Sequence, residues 1–408
     1  MTPPHRLSRR AFAALLAAAP WACDAAPPSA SKPAASQPPA PPPPPPSSSV
    51  APAAPLSYVP PLLRTYPGLA ARVPRVPLAS LPTPVERASR LGQPGLADLY
   101  IKRDDQSGAL HGGGKTRKLE LLLAEAQQAG ARDVVTFGGA GSNHAVATAL
   151  YASQLGFHTI LMLAAQPGSD HVRENLLAMQ RAGAEIRAVP GVAEAEARAR
   201  RLWARSAPGK APFVLPAGGT SPLGNLAYIN AALELAEQVG AGLMPVPDVL
   251  YVAMGTMGCV VGLAIGLKLA GLGTKVVAVR ASSPETSSEA RLFAMIDSTV
   301  AYARGLDPAF PAVRLGRSDV EIAGAYLGRG YAQPTAAGLS AIALARETEG
   351  LSLESTYTGK ALAALLASAE ALSGKVVLFW NTHNGRPLQT DGVDPRSLPS
   401  GFWHYFER

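Results

Sequence analysis

Apolar positions along the chain follow two alternating rhythms. Leu119, Leu122, Leu123 and Ala126 recur at i, i+3, i+4 and i+7, the spacing of one buried helical face. This predicts a helix that opens at the Gly112-Gly113-Gly114-Lys115 turn and closes at Gly130, where a C-terminal cap takes a glycine. Short apolar runs at 134–137, 159–163, 185–189, 249–252, 275–280 and 375–379 read as strands. Helical stretches such as 145–155 and 260–269 lie between them. From about Leu96 onward the alternation predicts an α/β fold of parallel sheets covered by helices. No internal repeat of fixed period is present.

Three junctions combine glycine with chemistry. Lys115 enters the first turn of its helix beside positive dipole charge, which disfavours the protonated amine. Such an amine can attack a carbonyl and form a Schiff base, whereas the bland alternative is a solvated lysine opening a helix. Gly138-Gly139-Ala140-Gly141-Ser142-Asn143-His144 follows the 134–137 run, and the free N–H groups of a helix start suit an anionic ligand there. Ser142 or Asn143 could equally be an N-cap worth ~0.5–2 kcal/mol. Gly255-Thr256-Met257-Gly258-Cys259 follows the 249–252 run, and its successive N–H groups with a hydroxyl can cradle a phosphate. This turn fits neither the dinucleotide fingerprint nor the Walker pattern. A Schiff-base lysine and a phosphate cup without a nucleotide motif point to pyridoxal phosphate.

The sequence resembles the fold-type-II pyridoxal-phosphate enzymes of the D-cysteine desulfhydrase and 1-aminocyclopropane-1-carboxylate (ACC) deaminase group, from about Leu81 to Leu388. The resemblance rests on Leu81-Pro82-Thr83-Pro84, Ile101-Lys102-Arg103-Asp104-Asp105, the run from Gly113 to Glu120, and Ser142-Asn143-His144. Further matches are Pro216-Ala217-Gly218-Gly219-Thr220 with Gly224 and Tyr228, Gly330-Tyr331 with Pro334-Thr335, and Tyr357-Thr358-Gly359-Lys360. It implies a tryptophan-synthase-beta-like architecture: two open parallel-sheet α/β domains with the cofactor in the cleft between them. The catalytic region would span 58–408, with a smaller domain inserted at about 108–223. By the same resemblance Lys115 would carry the cofactor as a Schiff base, and Asn143 would bond the ring's phenolic oxygen. Gly255, Thr256, Met257, Gly258 and Cys259 would hold the phosphate with Lys118. Ser142 would be nucleophile or proton carrier, Tyr331 and Tyr357 the two site tyrosines, and Thr358 would face the pyridine nitrogen. A homodimer is expected.

The implied reaction is β-elimination on a small amino acid, releasing ammonia and a keto acid as a D-cysteine desulfhydrase does. ACC deaminase chemistry on the same scaffold is one alternative, and a non-catalytic lipoprotein that binds pyridoxal phosphate or an amino acid is another. Two departures bear on that choice. Gly114 stands where the family usually has Asn, and Asn381-Thr382-His383-Asn384-Gly385 replaces a His-Thr-Gly-Gly stretch with one residue more. Thr358 occupies the place of a glutamate in the deaminase branch. A neutral hydroxyl cannot balance a pyridinium charge, so the expectation here is a near-neutral pyridine.

The first 57 residues follow other rules. Ser8-Arg9-Arg10-Ala11-Phe12 precedes an apolar stretch from Ala13 to Ala22 that is too short to cross a bilayer. Residues 1–23 therefore resemble a twin-arginine export signal, with Cys23 a candidate lipid anchor in a poor lipobox. Residues 24–57 are Pro/Ala/Ser-rich and read as an extended tether. The expected location is periplasmic or membrane-anchored; a misassigned start would make it cytoplasmic. The formal charge is +8, and Arg6, Arg9, Arg10 and Lys32 against Asp24 place +3 of it in this segment. The remaining mild excess does not argue for nucleic acid. Cys23 and Cys259 build no disulfide framework, and the seven histidines show no metal-ligand spacing. If the export reading holds, Arg9→Lys with Arg10→Lys leaves the precursor in the cytoplasm on cell fractionation. Full-length chain in the cytosol of the native host would contradict it.

Overall fold

The computed structural model describes residues 58–91, 95–203 and 211–407. The expected export signal (1–23), Cys23 and the whole tether (24–57) lie outside the described residues.

Two short helices, α1 (Pro61–Thr65) and α2 (Pro67–Arg72), precede strands β1 (Val85–Arg87) and β2 (Asp98–Lys102). The chain then alternates: α3 (Gly114–Gln128), β3 (Asp133–Gly139), α4 (Asn143–Gln154), β4 (His158–Ala164), α5 (Asp170–Arg181), β5 (Glu185–Val189), α6 (Val192–Trp203) and β6 (Phe213–Val214). It continues with α7 (Pro222–Gly240), β7 (Val249–Met254), α8 (Gly258–Leu269), β8 (Lys275–Arg280), α9 (Glu289–Leu306) and β9 (Val320–Ala323). The last α-helices and strand are α10 (Ala336–Glu349), α11 (Thr358–Ala367) and β10 (Val376–Trp380), followed by 3-10 turns at Pro395–Ser397 and Ser400–Tyr405.

The strands form a six-stranded sheet in the order β1-β2-β10-β7-β8-β9 and a four-stranded sheet in the order β5-β4-β3-β6. Every pairing is parallel except the β1–β2 edge. The small sheet takes all its strands from residues 133–214, within the segment expected as an insert. Both faces of the large sheet are covered, which explains the unbroken apolar runs in its strands. Along β7, Leu250, Val252 and Met254 pack in one core with Leu263 and Leu267 of α8. Val249, Tyr251 and Ala253 pack on the opposite face with Leu362 and Leu365 of α11. Leu161, Leu163 and Ile186 of the small sheet share a core with Leu398, Phe402 and Tyr405, from a segment that follows the large sheet's last strand. Tyr405 clasps the backbone of Gln166, donating its hydroxyl to the carbonyl at 2.8 Å and accepting the amide at 2.9 Å.

A buried ionic cluster joins α3 to the large sheet and α7. The Arg117 guanidinium donates to Asp104 Oδ1 at 2.8 and 3.0 Å, to the Glu234 carboxylate at 2.8 and 2.9 Å, and to Thr83 Oγ1 at 2.9 Å. Lys102 Nζ donates to Glu234 Oε1 at 2.7 Å, and Asp104 Oδ2 accepts Trp380 Nε1 at 2.8 Å and the Tyr228 hydroxyl at 3.1 Å. Burial opposes ionisation of Glu234, but Arg117 and Lys102 beside it prevail and hold its carboxyl well below the ordinary value of 4.5. Its contribution to stability is therefore present above pH 4.5 and is lost as pH falls through the depressed folded value. Arg117→Met leaves buried Asp104 without its cation and Glu234 with Lys102 alone, and should destabilise the fold by ~3–5 kcal/mol, read as a lower urea midpoint. A midpoint unchanged from wild type would show that the cluster is energetically idle.

Candidate active site

The glycine turns lie at the C-terminal ends of the strands, the side of open parallel sheets where ligands bind. They meet around a cavity of about 600 Å³ whose wall includes Lys115, Ser142, Asn143, Gly255–Cys259, Tyr331, Tyr357 and Thr358. Eleven of the twelve residues expected from sequence thus share one cavity; Lys118 is the twelfth and lies behind it.

Lys115 is the second residue of α3, and the turn before it is pinned on all sides. The N–H of Gly112 donates to Asn384 Oδ1 at 2.7 Å, that of Gly113 to the Asp104 carbonyl at 2.6 Å, and that of Gly114 to the Thr382 carbonyl at 3.1 Å. Gly113 caps the helix at φ 81°, a conformation that costs glycine little. A Cβ on Gly114 would fall 1.9 Å from the Tyr228 hydroxyl, which Asp104 holds in place. The space a side chain would need at position 114 is therefore already filled. The lengthened Asn381–Gly385 stretch also has a role in packing, since Asn384 supports the turn while Thr382 and His383 enter the cavity wall.

Ser142 is the N-cap of α4, its Oγ accepting the Ala145 N–H at 3.2 Å. Capping uses a lone pair and leaves the hydroxyl proton free, so the structural role and a chemical one coexist. Both ring nitrogens of His144 are buried without partners among the described residues. Burial, then the charges of Lys115 and Lys118, push its pKa well below 6.5, so this imidazole is neutral.

At the Gly255–Cys259 turn Met257 takes φ 70°, a left-handed conformation that is strained for a side-chain-bearing residue, and α8 begins at the next position. A Cβ on Gly258 would lie 2.4 Å from Asn225 Oδ1, 2.6 Å from Lys118 Nζ and 2.9 Å from Thr220 Oγ1. The Thr220 and Thr256 hydroxyls are 2.6 Å apart. A lysine, two hydroxyls and a helix start converge on backbone left bare by glycine, a fitting cradle for a phosphate. Burial lowers the Lys118 amine to about 8; Lys115 adds to that effect and Cys259 opposes it. Lys118 thus supports the cradle from beneath.

Across the cavity the Tyr357 hydroxyl donates to that of Tyr331 at 3.0 Å. Burial raises both phenols, Tyr357 further because Tyr331 stands beside it. The tyrosines come from different segments, and Lys360 holds them in register. Its amine donates to the carbonyls of Leu327 at 2.8 Å and Gly330 at 3.4 Å, just ahead of Tyr331. Thr358 opens α11 beneath Tyr357, with Glu354 against it.

Sequence reasoning assigned no task to Glu354, Thr382, Thr220 and Asn225, and named His383 only as a secondary candidate after His144. The signals were faint: Thr220 closes a matched stretch without showing a task, and an acid four residues before a helix start reads as an ordinary cap.

The signature of the family described as "Pyridoxal-phosphate dependent enzyme" matches residues 76–382. D-cysteine desulfhydrases of Salmonella choleraesuis and Salmonella paratyphi B are each 33% identical over 302 residues, covering 72% of this chain and 88% of theirs. A crystal structure of an ACC deaminase homologue superposes with a TM-score of 0.67 at 31% identity, covering 81% of this chain and 96% of that one. A hydrogen sulfide-producing enzyme from Fusobacterium nucleatum shares the fold, with a TM-score of 0.52 at 18% identity and coverage of 75% and 95%. The lysine turn, the Gly255–Cys259 turn and the tyrosine pair thus lie within the matched span, and the chain belongs to the pyridoxal-phosphate dependent enzymes of the fold-type-II class, with D-cysteine desulfhydrases and an ACC deaminase homologue among its relatives.

Proposed function

We propose that this enzyme cleaves a β-substituted amino acid of the D-cysteine type. With water, D-cysteine gives pyruvate, ammonia and hydrogen sulfide. The observation that carries this reading is one cavity holding a lysine on a glycine turn, a phosphate cradle and a tyrosine pair, in a chain similar to D-cysteine desulfhydrases over most of its length. Lys115 would hold pyridoxal phosphate, Asn143 would bond the ring's phenolic oxygen, and Thr358 would face the ring nitrogen. The Gly255–Cys259 backbone would take the phosphate, with Thr220, Thr256 and Lys118 supporting it. When bound, the cofactor supplies an electron sink that stabilises negative charge at the substrate α-carbon.

The protein's own groups manage protons. Lys115 would offer its amine to take a proton from the bound substrate. Ser142 keeps a free hydroxyl proton while capped, and the tyrosine pair offers one more. Tyr357 donates to Tyr331, so the Tyr331 proton is the one left for a ligand. Cyclopropane ring opening remains a second reading, favoured by the likeness to an ACC deaminase homologue. The export segment, a Cys23 lipid anchor and a homodimer complete the proposal, supported by the paired arginines, the tether composition and the family resemblance.

Borohydride should fix the cofactor on the peptide bearing Lys115, and Lys115→Ala should lose both the label and the visible absorbance. Label on Lys118 or Lys102 would overturn the site map. Wild-type protein should release keto acid and sulfide in equal amounts from D-cysteine and little or no keto acid from the cyclopropane substrate. Efficient cyclopropane cleavage would favour the second reading, and inactivity on every β-substituted amino acid would return the protein to a binding role. Tyr331→Phe should lower kcat by roughly 10²–10⁴-fold if its proton is used in the reaction. An unchanged kcat would remove Tyr331 from the chemistry.

A further inference from the structure

A threonine hydroxyl has one proton and two lone pairs. Thr358 Oγ1 accepts the N–H of Glu354 at 3.1 Å and donates its proton to Glu354 Oε1 at 3.2 Å. One lone pair remains, so toward the cavity Thr358 can only accept. A neutral pyridine nitrogen is also only an acceptor, and two acceptors face to face repel. A protonated ring nitrogen would pair with the hydroxyl instead.

The acid behind this hydroxyl is fixed. Glu354 Oε1 also accepts the N–H groups of Tyr357 at 2.9 Å and Thr358 at 2.8 Å, and Oε2 accepts that of Thr356 at 2.7 Å. The residue is 6% exposed and contributes to the cavity wall. Burial opposes its ionisation, but the neighbouring imidazoles of His383 and His171 and the backbone donors outweigh burial and lower its pKa. Burial holds His383 itself down at about 4, so near neutral pH the backbone N–H groups are what support the carboxylate. The other titratable groups facing it are the phenols of Tyr331 and Tyr357.

We propose that Glu354 acts through the Thr358 hydroxyl to keep the ring nitrogen of the bound cofactor protonated. Glu354 is a positioning residue that supplies, one hydrogen bond away, the negative charge absent from position 358. This reverses the expectation of a near-neutral pyridine drawn from Thr358 alone, and it rests on the reading of Thr358 as the residue facing that nitrogen. A simple helix cap needs only an acceptor oxygen, which glutamine also provides. The charge is what distinguishes the two roles.

The test is nitrogen NMR of the resting holoenzyme loaded with pyridoxal phosphate carrying ¹⁵N in the ring, without substrate. Wild type should show the chemical shift of a protonated ring nitrogen near neutral pH. Glu354→Gln keeps the cap, removes the charge and should move the signal to the unprotonated range, with the cofactor's phosphorus resonance unmoved. Thr358→Val should do the same, whereas Thr358→Ser should retain the wild-type shift. An unprotonated nitrogen in wild type overturns the proposal by itself, whether or not any variant folds. A protonated nitrogen in folded Glu354→Gln overturns it equally. Because no substrate is present, these outcomes are independent of which amino acid the enzyme consumes. Failure of the functional reading would show instead as absent cofactor or absent keto acid.

Discussion

The position of Lys115 depends on a charge that it never touches. Arg117, two residues further along α3, is buried between Asp104 and Glu234. Its planar guanidinium donates to two carboxylates and a threonine at once, a geometry that a lysine could not reproduce. The partners come from the segment just before β1 (Thr83), the residues after β2 and α7, and Trp380 of β10 closes the ring of donors on Asp104. A rotation of α3 would leave at least one buried carboxylate without its cation, so the helix has one permitted orientation. Lys115 inherits that orientation from its neighbour. The same Asp104 holds Tyr228 over Gly114, so one carboxylate fixes both the helix and the steric limit on its first residue.

Much of this was readable in the chain because local rules and tertiary demands coincide. The helical face at Leu119, Leu122, Leu123 and Ala126 is buried as its period requires, and Gly130 takes φ 66° just past the end of α3. The apolar runs became strands of two largely parallel sheets, and the glycine turns face one cavity because parallel strands all deliver their C-terminal ends to one side. Pairings between distant segments were not readable. Glu354 looks like a cap in sequence, and its bond to Thr358 depends on how the chain folds back before α11. Lys360 belongs to a recognised motif, yet its grip on the Leu327 and Gly330 carbonyls spans about thirty residues. The left-handed Met257 gives no sign in sequence, since methionine is not a residue chosen for that conformation.

Several site residues carry a structural duty along with their expected chemistry. Ser142 caps α4, Asn384 secures the glycine turn, and Glu354 caps α11 while facing the cavity. Stability and chemistry therefore cannot be separated by deleting these side chains. They can be separated by isosteres that keep one hydrogen bond and lose one charge or one proton.

The clasp of Tyr405 on Gln166 extends beyond its local hydrogen bonds. Gln166 uses its side chain to accept the Gly141 N–H at 3.1 Å, one residue before Ser142. Three links therefore connect a segment that leaves the large sheet after β10 to the turn presenting Ser142 and Asn143. The small sheet is tied to the rest of the chain at its entry, at its exit and again through this returning segment. Mechanically it resembles a panel with a stay as well as hinges, so swinging open would strain or break the stay. Any opening of the cleft would therefore have to break the Tyr405–Gln166 hydrogen bonds or carry residues 398–405 along with the small sheet.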